Sequence, residues 1–320
     1  MSLPYAHLAE EFNRLLSEHR TVTILSHINP DPDAIGTALG IYLWLKAQGI
    51  RVEVANATID IPRNLDFLPA FAKIKSHIDF DDSLIIACDS GSVDRLGFDV
   101  NGRTIVNIDH HPTNTQYGTL NIVNPEAVSS SEVAYHLLSS LYELSAQSAT
   151  AFYAALVSDT RNFTTSNMRR EVFGLASALV DRGVDVPHVT SQMLHRRSLA
   201  SLRILGSAID SLELVRDARV AIMTVRRDDR LRWGARGSDL DGIVDYARSL
   251  VTVQIAVMLV ERKEDIKVSL RSKGLDVARI AQHFGGGGHR AAAGFEMRDT
   301  DLAACERAIL DAIDYEEILG

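Results

Sequence analysis

Residues 21–36 read "TVTILSHINPDPDAIG", and this stretch sets the fold. Its first five residues are apolar or β-branched and read as a strand. Ala34, Ile35, Ala38, Leu39, Ile41, Tyr42 and Leu45 then recur at helical spacing, and Gly49 closes that helix. The strand-to-helix junction holds His27, Asp31 and Asp33, with two prolines interleaved. One reading is a polar turn with Asp33 as the helix N-cap. The other is half of a metal site. What ends the other strands decides between them.

The alternation continues downstream. "RVEVANA" (51–57), "SLIIACDS" (83–90) and "TIVNIDHH" (104–111) read as strands, and helical patterns follow at 129–144, 148–158 and 168–182. Strands alternating with helices give βαβ units and an α/β domain with a mostly parallel sheet flanked by helices. Residues 183–217 read as a long charged helical connector with room for a break. Beyond it come strand "RVAIMTV", helix "SDLDGIVDYARSL", strands "VTVQIAVMLVE" and "DIKVSLRS", helix "LDVARIAQHF", a glycine cluster, the run "AAAGFEM" and a terminal helix from about 301. This predicts a smaller C-terminal α/β domain with a mixed sheet. The expected organisation is a catalytic domain over 1–186, a helical linker over 187–217 and a second domain over 218–320.

In parallel α/β sheets, ligands bind beyond the carboxyl ends of the strands. Here those ends carry His27, Asp31 and Asp33, then Asp89, then Asp109, His110 and His111; a helix in the same half ends with Asp159. A single Asp after a strand is commonly a cap. Several strand ends crowding carboxylates and imidazoles need a positive charge among them. Asp159 at a helix C-terminus opposes the helix dipole by roughly 0.3–1 kcal/mol unless a cation is near. Oxygen and imidazole donors without thiolates suit Mn²⁺, then Mg²⁺, with Zn²⁺ as an alternative. Five Asp and up to three His fit two ions about 3.5–4 Å apart better than one. The central Asp89 is the natural bridge.

Bulk properties narrow the partners. The net charge of −9 argues against a coater of long duplex nucleic acid but leaves room for a short nucleotide held by a few local cations. Cys88 and Cys305 form no CxxC pair, so no disulfide framework or cysteine zinc site is expected. The N-terminus lacks signal-peptide character, and "SLVTVQIAVMLV" is too short to span a bilayer. A cytoplasmic protein without membrane contact is the expectation.

At "DHH" (109–111) the order becomes recognisable. "HINPDPDAIG", "CDSG", "NIDHH" and "SDTRNF" resemble the four motifs of the DHH phosphoesterase superfamily, and "RSKGLDVARIAQHFGGGGHRAAAGF" resembles its DHHA1 substrate domain. Two-domain chains of this size most resemble the group of oligoribonucleases and pAp phosphatases, which are similar to the core of the RecJ exonuclease. The resemblance implies two Mn²⁺ ions, one held by His27, Asp31 and Asp89 and the other by Asp33, Asp89, His110 and Asp159. It implies that Asp109 orients a histidine and that His111 faces the phosphate as donor or general acid. The family often has Gly where this chain has Pro32, which should stiffen the loop and leave the ligands in place.

"GGGGHRAAAG" (285–294) removes every Cβ from one backbone stretch, so a phosphate, sugar or base can approach its amides. It is no P-loop, since no G-K-[ST] follows. Gly286, Gly287, Gly288 and His289, with Arg271 and Ser272 at the end of a strand, are the expected substrate contacts; by resemblance Arg271 and His289 are the stronger ones. The implied activity is hydrolysis of short oligoribonucleotides to mononucleotides, and of pAp to AMP, by a hydroxide that two metals activate. A phosphodiesterase for cyclic di-AMP or linear dinucleotides is the main alternative. A manganese pyrophosphatase and a non-catalytic nucleotide sensor fit less of the sequence. A homodimer is compatible with all of these.

Overall fold

In the computed structural model, residues 5–58, 61 and 63–319 are described, and the chain divides into two compact units, 1–196 and 197–320. The first unit contains α1 (Ala6–Glu18), β1 (Val22–Ser26), α2 (Pro32–Ala47), β2 (Val52–Ala55), β3 (Ile74–Lys75), β4 (Leu84–Cys88), β5 (Ile105–Asp109), β6 (Leu120–Val123), α3 (Ser130–Leu138), α4 (Ala146–Asp159), α5 (Arg170–Asp181) and α6 (Val186–His195). Its six strands lie in the order β3-β2-β1-β4-β5-β6, and every neighbouring pair is parallel. The chain works outward one way from β1 and the other way from β4. The crevice beyond the carboxyl ends of β1 and β4 is therefore the topological switch point, where such sheets bind ligands.

β1, β4 and β5 are buried at every position, as continuous apolar runs in a sheet covered on both faces should be. α2 is buried along most of its length and packs tightly on α4. A Cβ on Gly36 would sit 2.6 Å from the Ala151 carbonyl oxygen, and one on Gly40 would meet the Phe152 ring at 2.3 Å. Two glycines four apart thus open one stripe of α2 to a neighbouring helix. The contact fixes the start of α2, which bears Asp33, against α4, which ends in Asp159.

At the other end of this sheet, β2 buries a carboxylate. Glu53 accepts from Thr23 Oγ1 at 2.9 Å, Lys75 Nζ at 2.9 Å and the backbone N–H groups of Asp79 and Phe80 at 3.1 and 3.0 Å. Burial alone would raise its pKa; these four donors outweigh that and hold it below the usual value.

The second unit contains α7 (Leu199–Asp210), β7 (Glu213–Val215), β8 (Val220–Val225), α8 (Arg227–Trp233), α9 (Ile243–Ser249), β9 (Ile255–Glu261), β10 (Asp265–Ser272), α10 (Val277–His283), β11 (Gly287–His289), β12 (Ala292–Arg298) and α11 (Leu302–Tyr315). Its sheet runs β11-β12-β10-β9-β8-β7, with β8 and β9 parallel and the other pairs antiparallel. The expected mixed sheet is present. The glycine cluster is not all loop, however: Gly287, Gly288 and His289 pair with Gly294, Ala293 and Ala292 as an edge strand. Among the described residues, no helix is long and apolar enough to cross a membrane.

Candidate metal centre

The "HINPDPD" junction folds as a capped helix start, with one change from the simplest sequence reading. Asp31, not Asp33, is the N-cap of α2: its Oδ1 accepts from Ala34 N at 3.0 Å. Its φ of −89° and ψ of 179° are the extended conformation that a following proline requires. Pro32 opens the helix, where its missing N–H costs nothing and its fixed φ is already helical. Proline therefore suits this position, and Asp31 keeps Oδ2 for the crevice, 4.0 Å from His27 Nε2.

Asp89 sits at the middle of the crevice. Its φ of 54° is left-handed, a conformation that Asp tolerates better than most residues and that clusters at functional sites. Its Oδ2 lies 3.6 Å from His27 Nε2 and its Oδ1 3.6 Å from His110 Nε2. His110 Nε2 lies 4.0 Å from Asp33 Oδ2 and 3.3 Å from Asp159 Oδ2. Donor atoms within 4.8 Å of one another fall into three groups: His27 with Asp31 and Asp89, Asp33 with His110 and Asp159, and Asp89 with His110 and His111.

The histidine tautomers follow from their partners. His27 Nδ1 bonds the Ile28 carbonyl at 2.8 Å and His110 Nδ1 the Ala127 carbonyl at 3.3 Å. A carbonyl only accepts, so these bonds favour the proton on Nδ1 and a lone pair on Nε2 among the carboxylates, as a metal ligand has, although the Arg95 guanidinium, 3.2 Å from His27 Nδ1, competes for that nitrogen. His111 differs. Its Nδ1 bonds Asp109 Oδ1 at 2.7 Å, so that nitrogen is committed to Asp109.

Asp109 is buried and fully engaged behind the crevice. It also accepts from His110 N at 2.8 Å and from Asn114 Nδ2 at 2.5 Å. The start of α3 supplies further supports that the sequence reading missed. Ser130 N donates to Asp33 Oδ2 at 2.8 Å, and Ser130 Oγ donates to Asp89 Oδ1 at 2.9 Å. Thr37 Oγ1 donates to Asp33 Oδ1 at 3.0 Å. "SSS" before a helix carries a capping signal, and Ser129 does cap α3. Nothing in the linear pattern shows that the helix N-terminus points at Asp33.

The electrostatics show what the cluster lacks. Burial first, then Asp89 and Asp31, push Asp33 well above the ordinary carboxylate range. Asp159 is pushed well above it by burial and by Asp33, Asp31 and Asp89. Asp31, although its side chain is 51% exposed, is also raised, by desolvation in the crevice and by Asp89. Burial would raise Asp89 too, but His27, His110 and His111 surround it and hold it well below its usual value. Burial opposes protonation of His111, yet the bond to Asp109 and the charge of Asp89 push it up to about 9. Hard oxygens and oriented imidazoles crowded together are a donor set suited to divalent metals.

In the second unit, Arg271 and Ser272 end β10, with β12 between them and the glycine strand β11. Arg271 Nη1 donates to the Leu270 carbonyl at 2.9 Å. Ser272 is buried and its hydroxyl donates to the Leu275 carbonyl, which places it in the framework of the turn rather than at a phosphate. The glycines divide likewise. A Cβ on Gly286 would meet the Gly294 carbonyl at 2.3 Å, and one on Gly288 the Ala292 carbonyl at 2.5 Å, so both are needed for packing on β12. Gly287 alone of the three faces open space.

A parallel sheet with a carboxylate–imidazole cluster at its switch point, followed by a mixed-sheet unit, defines a class of α/β proteins able to hold divalent ions. Residues 21–158 match the DHH family, N-terminal domain, and residues 217–316 match the DHHA1 domain. The chain is 32% identical over 300 residues to the bifunctional oligoribonuclease and PAP phosphatase NrnA of Thermus thermophilus, covering 92% of this chain and 90% of that protein. It is 24% identical to the cyclic-di-AMP phosphodiesterase PdeA of Listeria monocytogenes, covering 96% of this chain and 49% of that one. The crystal structure of an exopolyphosphatase-related protein from Bacteroides fragilis matches with a TM-score of 0.90 at 25% identity, covering 98% and 97% of the two chains. This chain belongs to the DHH/DHHA1 phosphoesterase family, most like its NrnA-type members, and is a phosphoester-hydrolysing enzyme.

Proposed function

We propose that this enzyme is a Mn²⁺-dependent phosphoesterase of the cytoplasm that trims very short RNA to mononucleotides and removes the 3′-phosphate of pAp. The observation that carries the reading is the posture of Asp89. Its two oxygens face different imidazoles, 3.6 Å away on either side, which fits one carboxylate shared by two ions. His27, Asp31 and Asp89 would hold one; Asp33, Asp89, His110 and Asp159 the other.

Bound there, divalent ions supply Lewis acidity to a phosphoryl oxygen and acidify a water. The chain's own groups do the rest. Asp109 anchors the His111 ring through Nδ1, and Nε2 is the nitrogen that would donate to a phosphoryl oxygen. Asn114 and the backbone of residues 110 and 111 keep Asp109 from turning away. In the second unit, Arg271, His289 and the open backbone at Gly287 are the groups we assign to nucleotide binding, on the likeness to the DHHA1 domain.

The short-RNA and pAp reading is favoured over a cyclic-dinucleotide substrate because the NrnA likeness runs nearly end to end in both chains, whereas this chain spans about half of PdeA. The test is a panel of pAp, pApA, longer RNA, cyclic di-AMP and pyrophosphate with added Mn²⁺. Turnover should be greatest on pAp and pApA and vanish with chelator. Hydrolysis of cyclic di-AMP with none of pAp would overturn the assignment.

A further inference from the structure

Arg226 precedes α8, and Arg227, Arg230 and Arg232 lie on it. The Arg203 guanidinium, from α7, sits 4.9 Å from the Trp233 ring centroid, and that of Arg232 sits 4.6 Å from it. Trp233 Nε1 donates to Ser207 Oγ at 3.3 Å. The indole thus ties α7 to α8 and carries two guanidinium groups beside its ring. A cation–π contact does not consume a guanidinium's N–H donors, which stay available to an anion.

Among the described residues, Arg203, Arg226, Arg227, Arg230 and Arg232 pair with no carboxylate. Other arginines of this unit are spent: Arg216 on Asp314, Arg248 on Asp245, Arg262 on Asp265 and Glu296, Arg279 on Glu316. Asp228 and Asp229 occupy the first turn of α8, where the helix dipole favours them. Arg203 and Arg232 meet at Trp233, and Arg226, Arg227 and Arg230 lie on or next to the same short helix. Set against Asp228, Asp229 and Glu261, whose carboxylate accepts from Arg227 N at 3.0 Å, five guanidinium groups leave this segment locally positive in a chain of net charge −9.

This surface is separate from Arg271. Val225, where β8 ends, is in register with Val260, and Val260 with Lys267. α8 therefore leaves the sheet towards the end where β10 begins, while Arg271 lies where β10 finishes.

We propose that the α7–α8 arginine surface binds the phosphodiester backbone of single-stranded RNA. The forked, planar donors match phosphate oxygens two at a time. Naming RNA rather than an acidic polypeptide rests on the short-RNA reading above. The test is fluorescence anisotropy of a labelled RNA of about 24 nucleotides, in EDTA, with the full chain and an Arg226→Gln/Arg227→Gln/Arg232→Gln variant. The variant should bind about 10-fold more weakly. The slope of log K against log salt should fall by about 0.7 per lost contact, about 2 in all. Its kcat/KM on pAp with Mn²⁺ should stay at the wild-type value, which also shows that it folds. Unchanged RNA affinity and slope would overturn the proposal, as would displacement of the RNA by polyglutamate as readily as by unlabelled RNA. RNA retention that depends on these arginines, in a wild-type enzyme inactive on pAp and pApA, would overturn the activity reading and support the surface.

Discussion

One sheet buries carboxylates at both of its ends and treats them in opposite ways. At the amino ends of the strands, Glu53 receives Lys75, Thr23 and two backbone N–H groups, and its pKa falls. At the carboxyl ends, Asp33 and Asp159 face other carboxylates, and their pKa values rise well above the ordinary range. Burial is common to both ends; the supply of positive charge is not. The first cluster is complete within the chain and stabilises it. The second is a donor set that could hold cations, which is why the proposed site is placed there.

The sharpest way to break this comparison is to neutralise the central acid at each end. Asp89→Asn keeps the volume and tolerates the left-handed backbone, but removes the charge that two cations would share. Activity should fall by roughly 10³-fold or more, the scale of losing a main electrostatic stabiliser, and bound Mn²⁺ measured by atomic emission should drop below that of the wild type. Near wild-type turnover would remove the bridging role. Glu53→Ala should leave kcat/KM in place yet cost about 3 kcal/mol in urea unfolding, because Lys75 and two buried N–H groups lose their partner. Glu53→Gln adds a pH test. The folded-state pKa is depressed, so the stability it brings is present above the unfolded value of about 4.3 and is lost as pH falls through the folded one. The stability gap between wild type and Glu53→Gln should therefore narrow from pH 6 to pH 3; a constant gap would contradict the charge account.

Ser130 tests whether the carboxylates are positioned as well as present. Its hydroxyl fixes Asp89 Oδ1 and its N–H fixes Asp33 Oδ2. Ser130→Ala removes only the first. Mn²⁺ affinity by calorimetry should weaken roughly 10-fold, the low end for loss of a group that orients a ligand, while thermal stability of the metal-free protein changes little. Equal losses in both would make Ser130 a packing residue.

Much of this was legible in the sequence, and the exceptions share a physical cause. β1, β4 and β5 read clearly because continuous apolar runs are rare outside doubly covered strands, and their ends carried the acids and imidazoles. β3, two residues long, and β11, built on Gly287 and Gly288, have no pattern of their own; pairing with β2 and β12 creates them. α8 escaped notice because arginines hide its periodicity, and the 183–217 segment is not helical throughout: it resolves into α6 and α7 on either side of 196–198, where Ser198 caps the second, and then strand β7, which pairing with β8 creates. Within the site, Ser130 left no local trace, since its bonds reach back 97 positions to Asp33 and 41 to Asp89, whereas Thr37 and Asn114 hold carboxylates only four and five positions away. Gly36 and Gly40, four apart on α2, are explained only by α4, where Ala151 and Ala155 crowd the first and the Phe152 ring the second.

The smallest expected effect separates the two ends most finely. Asp159 is the last residue of α4, where a carboxylate opposes the helix dipole, and its crowded neighbours raise its pKa further. Without metal it should be a net cost, so Asp159→Asn should stabilise the chelated protein by about 0.5 kcal/mol, seen as a rise in Tm. With saturating Mn²⁺ the order should reverse, because the wild type gains binding free energy that the variant has partly lost. A buried acid whose removal stabilises the empty protein and destabilises the loaded one is held for a ligand. The same swap at Glu53 should destabilise under both conditions, since its cation is Lys75 and never leaves.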